Sequence, residues 1–309
     1  MGKELVSPYI GLVIWQILSV LLLVAVLVLI FCFVRRCGYK ANLLLLLVSS
    51  SALLLAGCAG KELAQKSQAG NWALVWADEF TTDGAPDPAR WGFAPRKSAD
   101  WACYCADTLA TTYVKDGQLY LKGIINQDKT DTAKYKTACI QTKDKFAFKY
   151  GRIEVKAKLS RGKGSWPAIW LMPQDSKYGG WPHSGEVDIM EHLNYDTIIY
   201  QTLHSGYIDR MNQKTNPVYF ATTPFNVGEY NVFGVEWYPD RLDFFVNGQK
   251  TFTYPKVDDA DPSQWPFDEE FYIILDQALG GNWVGHIDDK DLPVQMAVDW
   301  VRVYQKEGD

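Results

Sequence analysis

The sequence predicts an all-β sandwich, and three observations carry that prediction. Ile153, Val155, Ala157 and Leu159 alternate with Glu154, Lys156 and Lys158, the period of a half-buried strand. Two apolar runs, 242–246 and 251–254, flank Asn247-Gly248, a pair that closes β-hairpins. From Asn71 onward no segment carries a 3.6-residue apolar stripe, and short apolar runs are punctuated by Gly, Pro and Asn.

In chain order, strands are expected at 117–123, 153–159, 169–172, 186–190, 198–204, 232–237, 242–246, 251–254, 271–277 and 296–304. Longer polar loops are expected at 86–100, 126–136 and 209–226. No internal repeat and no second boundary divides the body, residues 71–309. Its roughly 240 residues are long for one domain but within the range of single all-β units.

The 309 residues are 48% hydrophobic and 22% charged, a globular balance that excludes a disordered chain. Beyond Gly57 the chain carries 27 basic and 35 acidic side chains, a net of −8, which argues against nucleic-acid binding. No Gly-rich phosphate loop and no zinc-spaced Cys/His cluster occurs, so neither a nucleotide nor a structural zinc is expected.

The N-terminus reads as a targeting segment. Residues 9–34 form an apolar run long enough to span a bilayer. Arg35, Arg36 and Lys40 follow, then a second apolar run at 43–55 that ends in Leu55-Ala56-Gly57-Cys58. A basic flank, a short apolar core and small residues describe a secretory signal. The last four residues resemble a bacterial lipobox, which implies lipidation of Cys58 and an exported lipoprotein in the periplasm or at the outer-membrane or cell surface. Residues 1–57 are then signal and 58–70 a polar tether. Residues 1–33 are superfluous to such a signal and read as an upstream start artefact; the other reading is a real membrane anchor. Of six Cys, Cys103, Cys105 and Cys139 lie in the body. An odd number leaves at least one thiol unpaired, and free thiols are the expectation.

The chemistry is expected in Glu186-Val-Asp188-Ile-Met-Glu191, three acids within six residues of an apolar strand. On a regular strand Glu186 and Asp188 share a face and Glu191 points away. One extra residue in a bulge near Ile189–Met190 returns Glu191 to that face. Three carboxylates in a row repel, so at least one is expected to hold a proton near neutral pH. A raised-pKa acid beside an ionised neighbour is what glycoside hydrolysis needs.

Gly185-Glu186-Val-Asp188-Ile-Met-Glu191 resembles the active-site signature of glycoside hydrolase family 16, in the bulged form of its laminarinase-like branch. Asp78-Glu79-Phe80, residues 148–154, Gly164-Ser-Trp166-Pro-Ala-Ile-Trp170-Leu-Met-Pro173 and residues 299–304 resemble further landmarks of that family, in its order. The resemblance implies a β-jelly roll of two curved antiparallel sheets with a concave substrate cleft. It implies a retaining enzyme with Glu186 as nucleophile, Glu191 as acid/base, Asp188 tuning the nucleophile and no catalytic cofactor. Retention requires the two carboxylates about 5–5.5 Å apart.

Trp166, Trp170, Trp181 and Trp283 are candidate sugar platforms, because an indole offers a stiff apolar surface to a sugar face. The resemblance also implies a functional His204 at the end of its strand, and a structural calcium held by Glu79 and Asp299. Asp276 and Gln277 point to opposite faces by alternation, and Gln277, with donors and acceptors for hydroxyls, is assigned to the cleft.

The resemblance leaves the substrate open between two classes. The bulged signature and Trp181 favour β-1,3- or mixed-linkage glucan. Asp276-Gln277-Ala-Leu-Gly-Gly and Tyr178-Gly-Gly-Trp181-Pro-His183 look closer to members that cut β-1,4-galactosidic bonds in mucin-type O-glycans. A non-catalytic glycan-binding lipoprotein is a third reading, and the intact carboxylates argue against it.

Overall fold

The computed structural model describes residues 72–306. The signal, the tether and Cys58 lie outside the described residues. Fifteen strands follow in order: β1 Trp72–Asp78, β2 Gly92–Phe93, β3 Thr112–Lys115, β4 Gln118–Ile125 and β5 Tyr135–Gln141. Then come β6 Gly151–Leu159, β7 Ser165–Pro173, β8 Glu186–Glu191, β9 Ile198–His204 and β10 Phe220–Pro224. Last are β11 Asn231–Trp237, β12 Arg241–Val246, β13 Gln249–Pro255, β14 Phe271–Leu279 and β15 Val294–Lys306.

All fifteen belong to one curved antiparallel sheet, whose main path runs β10-β9-β8-β7-β14-β5-β4-β15-β6-β11-β12-β13. The sheet folds back on itself as two packed layers of a jelly-roll sandwich. One layer is β10-β9-β8-β7-β14-β5, the other β4-β15-β6-β11-β12-β13, and the β4–β5 pairing joins them. At the far edge Gln201 of β9 ties the layers again. Its Oε1 accepts from Thr223 Oγ1 of β10 at 3.3 Å and from Thr251 Oγ1 of β13 at 2.7 Å.

The strands form where the alternation predicts. In β6 the apolar set Ile153, Val155, Ala157 and Leu159 is buried, while Glu154 and Lys156 are half-buried. The same phase runs through β11, where Phe233, Val235 and Trp237 turn inward. Trp237 anchors this interior against Phe148, Tyr150 and Phe271, with ring centroids 5.7, 5.5 and 5.3 Å away, and its indole N–H donates to Phe267 O. Each large apolar side chain so buried stabilises the fold by about 1.5–3 kcal/mol. The β12–β13 hairpin turns at Asn247 and Gly248, both with positive φ (52° and 78°), as a tight hairpin requires.

All three expected loops hold strand residues. The segment 86–100 contains β2, 126–136 gives way to β5 at Tyr135, and 209–226 contains β10 and the end of a π-helical turn, Gly206–Arg210. The strand β10 is a short exposed edge with no long apolar run to announce it. Cys103, Cys105 and Cys139 are free thiols.

Candidate active site

The site is built on β7, β8 and β9, whose outward faces line a cleft of about 740 Å³. On β7 Trp166, Trp170 and Met172 face the cleft, while Ile169 and Leu171 enter the core. On β9 Tyr200, Thr202 and His204 face it, while Ile199 and Leu203 turn inward. The chain enters β8 through Gly185 at φ 87°, where a Cβ would sit 3.0 Å from Phe267 and Pro266. That turn admits glycine most easily.

The expected bulge is present. Glu186, Asp188 and Glu191 pair with His204, Thr202 and Tyr200, so three residue steps on β8 match two on β9 between Asp188 and Glu191. Ile189 and Met190 are both buried in the core. Glu191 thereby returns to the face of Glu186, and both line the cleft.

Each of these glutamates receives one indole N–H. Trp181 Nε1 donates to Glu186 Oε2 at 2.6 Å, and Trp166 Nε1 donates to Glu191 Oε1 at 3.0 Å. Burial pushes the Glu191 carboxyl up to about 7, and the Glu186 charge adds to that, against the Trp166 hydrogen bond and His204. Burial also raises Glu186, but His204 and the Trp181 and Asp188 hydrogen bonds pull it back. Asp188 is raised well above the usual carboxylate range by burial and by the charges of Glu186 and Glu191. Hydrogen bonding with Glu186 raises it further and lowers Glu186 in turn. All three carboxyls are thus held above their ordinary values, each by a different balance of burial, neighbouring charge and hydrogen bonds.

His204 lies over this cluster. Its Nε2 is 3.5 Å from Asp188 Oδ2 and 4.0 Å from Glu186 Oε1. Its Nδ1 lies 3.2 Å from both Asp209 carboxylate oxygens. Burial alone would lower its pKa, but the Asp209 hydrogen bond and the charges of Glu186, Asp209 and Glu191 outweigh it and raise it.

The four tryptophans reach the cleft in different ways. Trp181 and Trp283 are about half exposed, at 52% and 48%, and offer the freest faces. Trp283 packs edge-on to Trp166 and Tyr200, with centroids 5.6 and 5.2 Å away. Trp170 is 5% exposed, packed edge-on against Trp101, so it is more floor than platform.

The assignment of Gln277 to the cleft is overturned. Asp276 stands opposite Ala168 in the β14–β7 pairing, on the cleft-side face, and accepts from Trp170 Nε1 at 2.7 Å. Gln277 stands opposite Pro167 and points into the interior, where its Nε2 donates to Ser165 Oγ. All nine residues of β14 are buried, so no polar side marks which face meets the cleft.

Glu79 and Asp299, the expected calcium ligands, are each held by a basic side chain. Arg302 holds Glu79 through two hydrogen bonds of 2.7 and 3.0 Å, and Lys156 holds Asp299 at 2.7 Å. Among the described residues neither gathers with other His, Cys, Asp or Glu ligands; the group that does is Glu186, Asp188 and His204.

Several lining residues escaped the sequence reading: Trp101, Tyr200, Thr202, Tyr219 and Phe220. Tyr200 and Thr202 carried a usable signal, since both lie at even spacing from His204 on one strand. Asp209 carried none, because its contact depends on the π-helical turn.

A curved β-sandwich with paired carboxylates of unlike proton affinity in an aromatic cleft is the architecture of a glycoside hydrolase. The family described as glycosyl hydrolases family 16 matches residues 108–302, and the chain belongs to that family. It is 38% identical to keratan-sulfate endo-1,4-beta-galactosidase of Sphingobacterium multivorum over 236 residues, covering 76% of this chain and 56% of the relative. The chain thus spans little more than half of that protein. SCLam, a solved non-specific endo-beta-1,3(4)-glucanase, superposes with a TM-score of 0.70 at 32% identity, covering 77% of this chain and 92% of SCLam. A structure from work on endo-acting O-glycanases of human gut microbiota that initiate mucin breakdown gives 0.66 at 32%, covering 75% and 98%.

Proposed function

We propose that the protein is a retaining endo-β-glycosidase that cuts internal β-linkages of a polysaccharide or glycan, with β-1,3- or mixed-linkage glucan as its substrate class. The observation that carries this is the pair Glu186 and Glu191 on one cleft face, the latter raised to about 7. Glu191 donates its proton to the glycosidic oxygen as the bond to the anomeric carbon breaks. Glu186, ionised and oriented by Trp181, bonds that carbon. Water then attacks the glycosyl-enzyme carbon, Glu191 takes the water's proton, and Glu186 leaves as carboxylate. Asp188, between the two glutamates on β8, tunes the charge and orientation of Glu186.

A second substrate reading is an endo-β-1,4-galactosidase on galactose-containing glycans, mucin-type O-glycans among them. It is supported by the 38% identity to the keratan-sulfate galactosidase and by the likeness to the O-glycanase structure. The test is incubation with laminarin, barley glucan and mucin, with mass spectrometry of product ends and NMR of the first-formed anomer. Internal cleavage with a β-anomer is expected. An initial α-anomer refutes double displacement, and no product from any glycan leaves a binding protein.

The lipobox supports an exported lipoprotein anchored through Cys58. Intact-mass measurement of membrane-extracted protein should find a diacylated Cys58 as first residue; an unmodified Cys58 refutes the anchor.

A further inference from the structure

The three acids and His204 are arranged for more than proton transfer. One donor atom each from Glu186, Asp188 and His204 lies within 4.8 Å of the others. Donors around a four-coordinate zinc at about 2.0–2.1 Å stand roughly 3.3 Å apart. The His204 Nε2 to Asp188 Oδ2 separation, 3.5 Å, is already near that value. The Glu186 oxygen at 4.0 Å needs only a small side-chain movement.

Two further features point to a cation. Asp188 is 3% exposed, yet its Oδ2 has no hydrogen-bond partner and is aimed at His204. A buried carboxylate oxygen left unpaired is costly unless something meets it. On its other side His204 is held through Nδ1 by Asp209. Asp209 is in turn fixed by Ser205 N–H at 3.1 Å. A carboxylate behind a histidine sets the tautomer and leaves the Nε2 lone pair for a metal, the arrangement common behind zinc-bound histidines. The cleft gives an entry path, since Glu186 and His204 both line it.

We propose that Glu186, Asp188 and His204 form a site for one zinc-class divalent ion, and that its occupancy switches the enzyme off. An imidazole with two carboxylates suits zinc and its neighbours better than calcium or magnesium, which take oxygen-only shells. A water or a sugar hydroxyl completes the shell. The ion neutralises two of the crowded carboxylates and takes the lone pairs with which Glu186 would attack. The inhibitory half rests on the reading of Glu186 as nucleophile; the binding half does not.

The test uses the full chain stripped with chelator. Calorimetric titration with zinc ion, and absorption titration with cobalt(II), should both give one ion per chain. His204→Ala should abolish measurable binding. Asp209→Asn, which leaves every donor in place, should weaken it by about 10–100-fold, the scale of losing a supporting carboxylate. Hydrolysis should be inhibited competitively with substrate and restored by chelator. No stoichiometric binding, or affinity unchanged in both variants, overturns the site. Binding with undiminished turnover at substrate below KM overturns the inhibitory half alone; the role of Glu186 is decided separately by the anomer of the first product. These titrations need no substrate, so they stand even where no glycan is cut.

Discussion

Asp243 on β12 and Asp188 on β8 are both almost fully buried, at 1% and 3% exposure, on opposite layers of the sandwich. Their surroundings differ completely. Asp243 accepts from Thr253 Oγ1 at 2.6 Å and meets Arg241 Nε at 3.0 Å and Lys250 Nζ at 2.9 Å. Burial would raise its pKa, but those partners outweigh it and hold it below the usual carboxylate range. Asp188 has neighbouring acids, one unpaired oxygen and a histidine, and burial drives it well above that range. A carboxylate kept for structure is given cations; one kept for chemistry is left in want of them. The cleft layer stores the electrostatic cost that the outer layer has relieved.

The largest test of that contrast is removal of Glu191, the proposed acid. Glu191→Gln should lower kcat/KM by about 10²–10⁴-fold, the scale of a general acid. In the wild type the acid must be protonated, so activity should fall as pH rises through about 7. Stability follows the same sign. The fold raises the Glu191 pKa above its ordinary 4.5, so that contribution is complete below 4.5 and lost as pH rises through about 7. Thermal unfolding at pH 5 and pH 8 should therefore differ less in Glu191→Gln than in the wild type. An equal difference in both proteins would contradict the raised pKa.

The second test exchanges the two aspartates. Asp243→Asn should leave kcat/KM unchanged and cost about 1.5–3 kcal/mol, the scale of hydrogen bonds to charged groups, reduced by the exposure of Arg241 and Lys250. Its stabilising effect in the wild type is present above 3.8 and is lost as pH falls through the lowered native value. Asp188→Asn should do the reverse, losing turnover while keeping or raising the melting temperature, because a crowded buried carboxyl is replaced by a neutral amide. Urea unfolding and initial rates on the same preparations decide it. A marked loss of stability in Asp188→Asn would place that residue among the structural acids.

How much of this was legible depends on whether a strand has one wet face. In β6, Glu154, Lys156 and Lys158 mark the outside, and the sequence fixes both the element and its phase. The bulge in β8 was legible because Glu191 is otherwise stranded on the core side. In β14 every residue is buried, so alternation says that Asp276 and Gln277 face opposite ways without saying which meets the cleft. That lack of phase misplaced Gln277. Asp209 and Phe220 were unreadable for a different reason. Their positions depend on a five-residue π-helical turn and a short exposed edge strand, which have no hydrophobic period.

The smallest expected effects come from the pair that alternation could not phase. Gln277 stands on the core side with Nε2 bound to Ser165 and Oε1 unpaired, and it touches no cleft group. Gln277→Leu should leave the ratio of kcat/KM on glucan and galactose-containing glycan unchanged and alter stability by no more than about 1–2 kcal/mol, the net scale of one hydrogen bond and its unmet partner. Asp276 lies beneath Trp170, and burial raises its carboxyl well above the usual carboxylate range while it accepts the indole N–H. Asp276→Asn keeps an acceptor of the same shape and should behave nearly as the wild type. Asp276→Leu leaves the indole N–H unpaired at the cleft floor. That costs about 1–3 kcal/mol in stability or in the tilt of Trp170, read as a several-fold rise in KM with kcat little changed. A changed substrate ratio in Gln277→Leu, with none in Asp276→Leu, would mean that β14 turns its other face to the sugar.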